Sequence, residues 1–295
     1  MTETLDARWV AQRRDDNYRR TMARRVQTRD EAIAFVNAMG FVLFWPIKGV
    51  ECASLFHAIA GRVRDVPSAH DDPDISKCWG WKDQLLGARV WFYAKTLRRR
   101  ATMISMDLLP AFYALSPNYG DYETDYLEEY LDGQMTAEAK NVYEALLREG
   151  ALDTIRLRRA ASLAAESAKS RFDRALVELQ IGFKVLPVAV VEEGAWDYAF
   201  VYDIVARHLP DLPDRARPIS RAEARQTLIR TYVDNSVAVT RKQIDQLFHI
   251  FKWTPRELDR ALEALQAAGA IRAMPVEGLA GPHWVSVRAL SARDG

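Results

Sequence analysis

The stretch Asp173-Arg-Ala-Leu-Val-Glu-Leu-Gln180 returns further along the chain as Asp259-Arg-Ala-Leu-Glu-Ala-Leu-Gln266. In each copy the Ala-Leu-x-x-Leu spacing puts three apolar residues on one face of a helix, with charged residues opposite. The surroundings match in kind, as expected of a duplicated unit. Helices are predicted over 137–149 and 154–161 before the first copy. Before the second they are predicted over 220–233 and 240–248, opened by the capping boxes Ser220-x-x-Glu223 and Thr240-x-x-Gln243. Strand-like pairs follow, 184–191 with 196–201 and 270–276 with 284–287, separated by the turns Glu192-Glu193-Gly194 and Gly278 to Gly281. Three helices followed by a β-hairpin is the winged-helix plan, and it occurs twice. The aromatics Trp196, Tyr198 and Trp284 read as core or hairpin anchors.

A third unit lies upstream. Thr28-x-x-Glu31 has capping-box form, and Ala32, Phe35, Val36 and Met39 follow at helical spacing before Gly40. The fold class expected is mainly α with small antiparallel β wings, in three tandem winged-helix-like domains. Their expected order is a basic N-terminal arm (1–29), a first domain (30–120), an acidic helical joint (121–135), a second domain (136–216) and a third (217–295). The arm holds eight arginines against four acids, so it is either a phosphate-touching extension or a helix packed on the body. In the joint, Tyr122, Tyr126 and Tyr130 recur every fourth residue among six acids, predicting a short helix with a packed tyrosine face that ends at Asp132-Gly133.

Composition narrows the function. The 295 residues are 49% hydrophobic and carry 41 Lys and Arg against 40 Asp and Glu, a net charge of +1. A protein that holds polyanions by bulk charge is excluded, so any nucleic-acid surface must be a local patch. Cys52 and Cys78 lack metal-binding spacing and are expected as buried thiols. With no secretory leader pattern and no apolar run of about 20 residues, a cytoplasmic protein without membrane contact is expected. His70 with Asp71, Asp72 and Asp74 reads as a polar loop beside Pro73, and no metalloprotease, EF-hand, P-loop or serine-hydrolase motif occurs. Neither metal nor cofactor is expected.

In a winged helix the third helix enters the major groove and the hairpin rests on the backbone. In the first copy that helix offers Lys169, Ser170, Arg171 and Arg174 in its opening turns, with Phe172, Leu176 and Leu179 pointing inward. The second copy, opened by Thr254-Pro255-Arg256-Glu257, offers only Arg256 and Arg260. Arg98, Arg99 and Arg100 form another candidate phosphate patch within an acid-free stretch. DNA contact is the reading taken for the first copy, the second is the weaker reader, and a solvated charged face or a protein-contact module is the alternative.

The segments Gly40-Phe-Val-Leu-Phe-Trp-Pro-Ile-Lys-Gly-Val50, Trp79-Gly-Trp-Lys-Asp83, Leu97-Arg-Arg-Arg-Ala-Thr102 and Leu115-Ser-Pro-Asn-Tyr-Gly120 resemble the AlkZ and YcaQ family of bacterial DNA glycosylases. The likeness runs over roughly residues 28–290 and is greatest to the AlkZ-related branch. The resemblance implies tandem winged helices around a DNA channel, double-stranded DNA as partner, and excision of alkylated or crosslinked bases. It also implies a Gln-x-Asp or Gln-x-Gln motif that positions the attacking water, and here the matching positions are Leu43 and Trp45. Neither side chain activates water. Glu51 and Asp83 are the substitute catalytic candidates, beside a base-stacking pocket of Trp45, Trp79 and Trp81. The alternative is that the tryptophans are core and that the acids pair with Lys48 and Lys82. The leading expectation is a protein that binds damaged or distorted DNA without the usual motif. The rivals are a glycosylase with a replaced active site, a dimeric winged-helix transcription regulator, and a protein-contact scaffold.

Overall fold

The computed structural model describes residues 4–68, 71–118, 120–192 and 198–294. His70, Trp196 and the predicted turn residues Glu193 and Gly194 lie outside them. Among the described residues nine strands form three antiparallel sheets, each preceded and interrupted by helices in the same order. The first repeat runs helix Arg29–Met39, β1 (Phe41–Leu43), helices Leu55–Ala60 and Pro73–Leu85, then β2 (Trp91–Lys95) and β3 (Ala101–Ser105). The second runs helix Ala137–Glu149, β4 (Leu152–Asp153), helices Thr154–Ala160 and Lys169–Ile181, then β5 (Val185–Val191) and β6 (Ala199–Ile204). The third runs helix Arg221–Ser236, β7 (Ala238–Val239), helices Arg241–Phe248 and Pro255–Ala267, then β8 (Ile271–Pro275) and β9 (Pro282–Ser286). The sheet orders are β1-β3-β2, β4-β6-β5 and β7-β9-β8.

Local chemistry accounts for these boundaries. Thr28 with Glu31, Ser220 with Glu223, Thr240 with Gln243 and Thr254 with Glu257 each form a two-way capping box at a helix start. The repeated octapeptides occupy equivalent helices and bury equivalent residues, Ala175, Leu176 and Leu179 in one, Ala261, Leu262 and Leu265 in the other. The two-residue strands β4 and β7 are too short to show the alternation by which strands are recognised in sequence. The predicted strand 196–201 runs on to Ile204, its residues 196 and 197 lying outside the described ones, and 284–287 shifts to Pro282–Ser286, because register is set by pairing with β5 and β8. At the joint the helix is Asp125–Leu131, preceded by Tyr122. Tyr126 is buried against Tyr143 at 5.0 Å, whereas Tyr130 is 37% exposed beneath Lys140. The tyrosine face is therefore packed at one end only, since two turns of helix reach the neighbouring core once.

The first repeat's sheet is covered on both sides. Phe41 and Leu43 face one core, shared with Phe92, Ile104, Phe112, Phe183 and the third repeat's Leu228, Tyr232 and Phe248. Val42 and Phe44 face the other, with Phe35, Val36, Phe56, Tyr93 and Met103. Phe41 meets Phe112 at 5.7 Å and Phe248 at 5.9 Å, both edge to face. Two close approaches depend on glycine. Gly40, at φ +72°, ends the first helix where a Cβ would lie 2.8 Å from Leu108. Gly87, at φ +75°, meets the Val188 carbonyl, where a Cβ would lie 2.5 Å away, at a register shift in β5.

The arginine-rich N-terminus is docked on the body. Leu5 bridges to Val276, and the helix Ala7–Asn17 buries Val10. Arg14 donates to the Ser236 carbonyl at 2.8 Å, an acceptor left open at a helix end, and to the Ala238 carbonyl of β7 at 2.7 Å.

The shared core predicts a local contrast in stability. Phe41→Ala is expected to cost about 3–5 kcal/mol, whereas Leu131→Ala, at a position 81% exposed, should stay within about 0.5 kcal/mol. Urea unfolding of the two variants measures both.

Candidate nucleic-acid interface

The helix Lys169–Ile181 starts without a side-chain cap, after a short turn at Glu166–Ala168. Lys169, Ser170, Arg171 and Arg174 are exposed on it, while Phe172, Ala175, Leu176 and Leu179 are buried. Lys169 lies 3.8 Å from Glu166 and Arg171 lies 3.3 Å from Glu138. Ion pairs this exposed are weak and leave both cations available to another anion. All four residues line a cleft of about 1240 Å³.

Cations from the other repeats reach the same cleft. Arg99 comes from the turn between β2 and β3, Arg221 from the first position of its helix, and Lys252 from the turn before the helix Pro255–Ala267. With Lys184, the lining holds seven cations against five carboxylates, so the cleft is locally positive in a chain that is almost neutral. On the lining, Lys184 is 3% exposed and its ammonium contacts Glu129 at 2.5 Å and Asn118 Oδ1 at 2.7 Å. Burial holds the Glu129 carboxyl above its ordinary value, with Lys184 opposing.

The other basic candidates separate. Arg98 and Arg99 both sit at positive φ, 55° and 56°, in a left-handed region disfavoured for side chains by about 1–2 kcal/mol each. Arg98 donates to the Gln246 carbonyl at 3.1 Å, tying this turn to the third repeat. Arg99 faces the cleft, and Arg100 is exposed. Arg256 and Arg260 are exposed but lie outside the cleft lining.

The acids and tryptophans lie elsewhere. Glu51 is held between Arg14 at 3.2 Å and Arg20 at 3.3 Å, rather than by Lys48. Leu43 is fully buried, and Trp45 packs edge to face against Phe44, Phe56 and Trp79. Trp81 is half-buried at the margin of the same cluster. Asp83 pairs with Lys82 at 2.7 Å and accepts from the Tyr198 hydroxyl at 2.9 Å.

Lys82 was legible in sequence only as a neighbour of Asp83. It is wholly buried, donates to Tyr198 at 2.6 Å, and sits 4.0 Å from the centre of the Trp79 ring and 4.6 Å from that of Phe200. The rings around it come from distant segments, so no local pattern marks the cage. The cleft residues Arg221, Phe251 and Lys252 were missed for the same reason. Both thiols are buried, and burial pushes Cys52 up to about 12. Among the described residues no group of three or more His, Cys, Asp or Glu is placed to hold a metal, and no helix is long and apolar enough to cross a membrane.

This mostly helical architecture, with small antiparallel sheets around a positive cleft, is the fold of an AlkZ-type protein. It is similar to the DNA glycosylase AlkZ of Streptomyces sahachiroi, with a TM-score of 0.55 at 13% identity, over 100% of this chain and 73% of that one. The chain belongs to the AlkZ-related family, whose model matches residues 26–249. No curated protein sequence matches it.

The caged lysine has a measurable consequence. Burial lowers Lys82 from 10.5 to about 8, with Asp83 opposing the shift. The folded protein then binds fewer protons than the unfolded chain between those values, so this group makes stability rise as pH climbs above about 8. Buried tyrosines such as Tyr93 and Tyr198, whose hydroxyls are raised above 10.0, act in the opposite sense at higher pH. Between pH 8 and 10 the urea midpoint of the wild type should gain on that of Lys82→Met. Parallel pH profiles for the two proteins would contradict the assignment.

Proposed function

We propose that the chain is a DNA-binding protein of three tandem winged-helix domains that recognises damaged or distorted double-stranded DNA. The domains span 30–120, 136–216 and 217–295, with the acidic joint at 121–135 and the N-terminal segment 1–29 as a strap. The thrice-repeated order of helices and strands supports this division. The observation that carries the functional reading is the meeting of Arg99, Arg174, Arg221 and Lys252, from all three repeats, on one cleft beside Lys169 and Arg171. Phosphate recognition needs such a local surplus of flexible cations, and a chain of net charge +1 has no bulk charge to supply it. The glycosylase activity in the name of the similar AlkZ structure makes DNA the natural polyanion.

In this reading Lys169, Ser170, Arg171, Arg174 and Arg99 contact backbone, and Arg100, Arg256 and Arg260 extend the positive surface. The places where the AlkZ and YcaQ resemblance puts a water-positioning motif hold Leu43, packed in the core, and Trp45. Binding without base excision is therefore the leading activity. The second reading, excision through Asp83 or Glu51, draws on the Asp83, Tyr198 and Lys82 cluster beside Trp79.

Duplex affinity should fall steeply with salt. Replacing Lys169, Arg171 and Arg174 together with alanine should weaken binding on every sequence and reduce the log–log salt slope by about 2–3. A gel-shift titration giving equal affinities for wild type and triple variant rejects the assignment. On alkylated DNA no free base is expected. Base release that disappears in Asp83→Asn would establish the second reading instead.

A further inference from the structure

We propose that the cleft receives unpaired nucleotides, so that the strand it prefers is single or locally extruded from a duplex. This inference rests on the DNA-binding reading and specifies which form of DNA enters. The first argument is size. A space of about 1240 Å³ is only slightly above the range of roughly 300–1,000 Å³ of small-molecule sites. It has room for a few nucleotides, and in a double helix the bases present only their edges in the grooves, so a ring on the wall meets a base face only where a nucleotide is unpaired.

The second argument is the chemistry of the walls. Arg99, Arg174, Arg221 and Lys252 make no ion pair among the described residues, unlike Lys169, Arg171 and Lys184. These four come from separate segments of the chain. The lining also carries the apolar Leu115, Pro117 and Ile250 and the aromatic Phe251. Phe251 stacks on Trp253 at 5.6 Å with 13° between the rings, and Trp253 in turn lies beneath Arg225. The Phe251 ring also meets Phe112 at 6.0 Å, and it is partly exposed among the lining residues. A cationic track with a rigid aromatic platform is the arrangement that holds unpaired bases, whereas duplex phosphates have no use for the ring.

The test is fluorescence anisotropy on the full chain with one oligonucleotide sequence in three forms: single strand, fully paired duplex, and duplex with a central unpaired bulge. The single strand and the bulged duplex should bind about tenfold tighter than the paired duplex. Phe251→Leu, which keeps an apolar residue in place, should bring the three affinities together, and Arg221→Ala with Lys252→Ala, both at the surface, should weaken the unpaired forms most. Thermal melts establish that each variant is folded. Paired duplex bound as tightly as the unpaired forms, or a preference that survives in Phe251→Leu, overturns this inference while leaving the DNA-binding reading intact. Failure to bind any of the three forms overturns both.

Discussion

The arrangement of the three repeats depends on a small sheet that is buried twice. Because successive side chains of a strand point to opposite faces, Phe41 and Leu43 feed one core while Val42 and Phe44 feed another. A shift of one residue in β1 would exchange the two sets, so the Phe41 to Ile104 register is held by both cores at once. One of those cores is continuous with the third repeat through Tyr232 and Phe248 and reaches the second through Phe183 and Leu186. The first repeat thus serves as the hub that sets where its neighbours stand.

From that placement follows the meeting of charges. The turn carrying Arg98 and Arg99 leaves the hub sheet in a left-handed conformation, and Arg98 ties it to the Gln246 carbonyl of the third repeat. Arg99 is then directed to the cleft already lined by Arg174 and Lys252. Residues held in such sparsely populated backbone regions persist only where the surrounding structure over-determines them. The cost is borne by the packing on either side of the turn, where Leu97 is fully buried.

The second buried device, the Lys82 cage, joins the first repeat to β6 and its neighbour Tyr198. A charge in a ring of aromatics is tolerated because Asp83 and the Tyr198 hydroxyl complete its hydrogen bonding. It explains why Asp83 and the tryptophans gather in one place, with the Lys82 chain filling the space between the rings.

Local pattern alone determined a good part of this protein. Capping residues and apolar spacing placed the helices of the second and third repeats, and the octapeptide pair exposed their kinship, because both signals are carried within a dozen residues. The cations of the helix Lys169–Ile181 were legible for the same reason, since a helix face is set by its own sequence. What only the tertiary structure decided were the features assembled from distant segments. These are the two-residue strands completed by pairing, the docking of the arginine-rich N-terminus, the cage around Lys82, and the entry of Arg221, Phe251 and Lys252 into the cleft. Contacts between residues more than a hundred positions apart leave no periodicity in a single chain, and they form only where packed cores hold the segments in register.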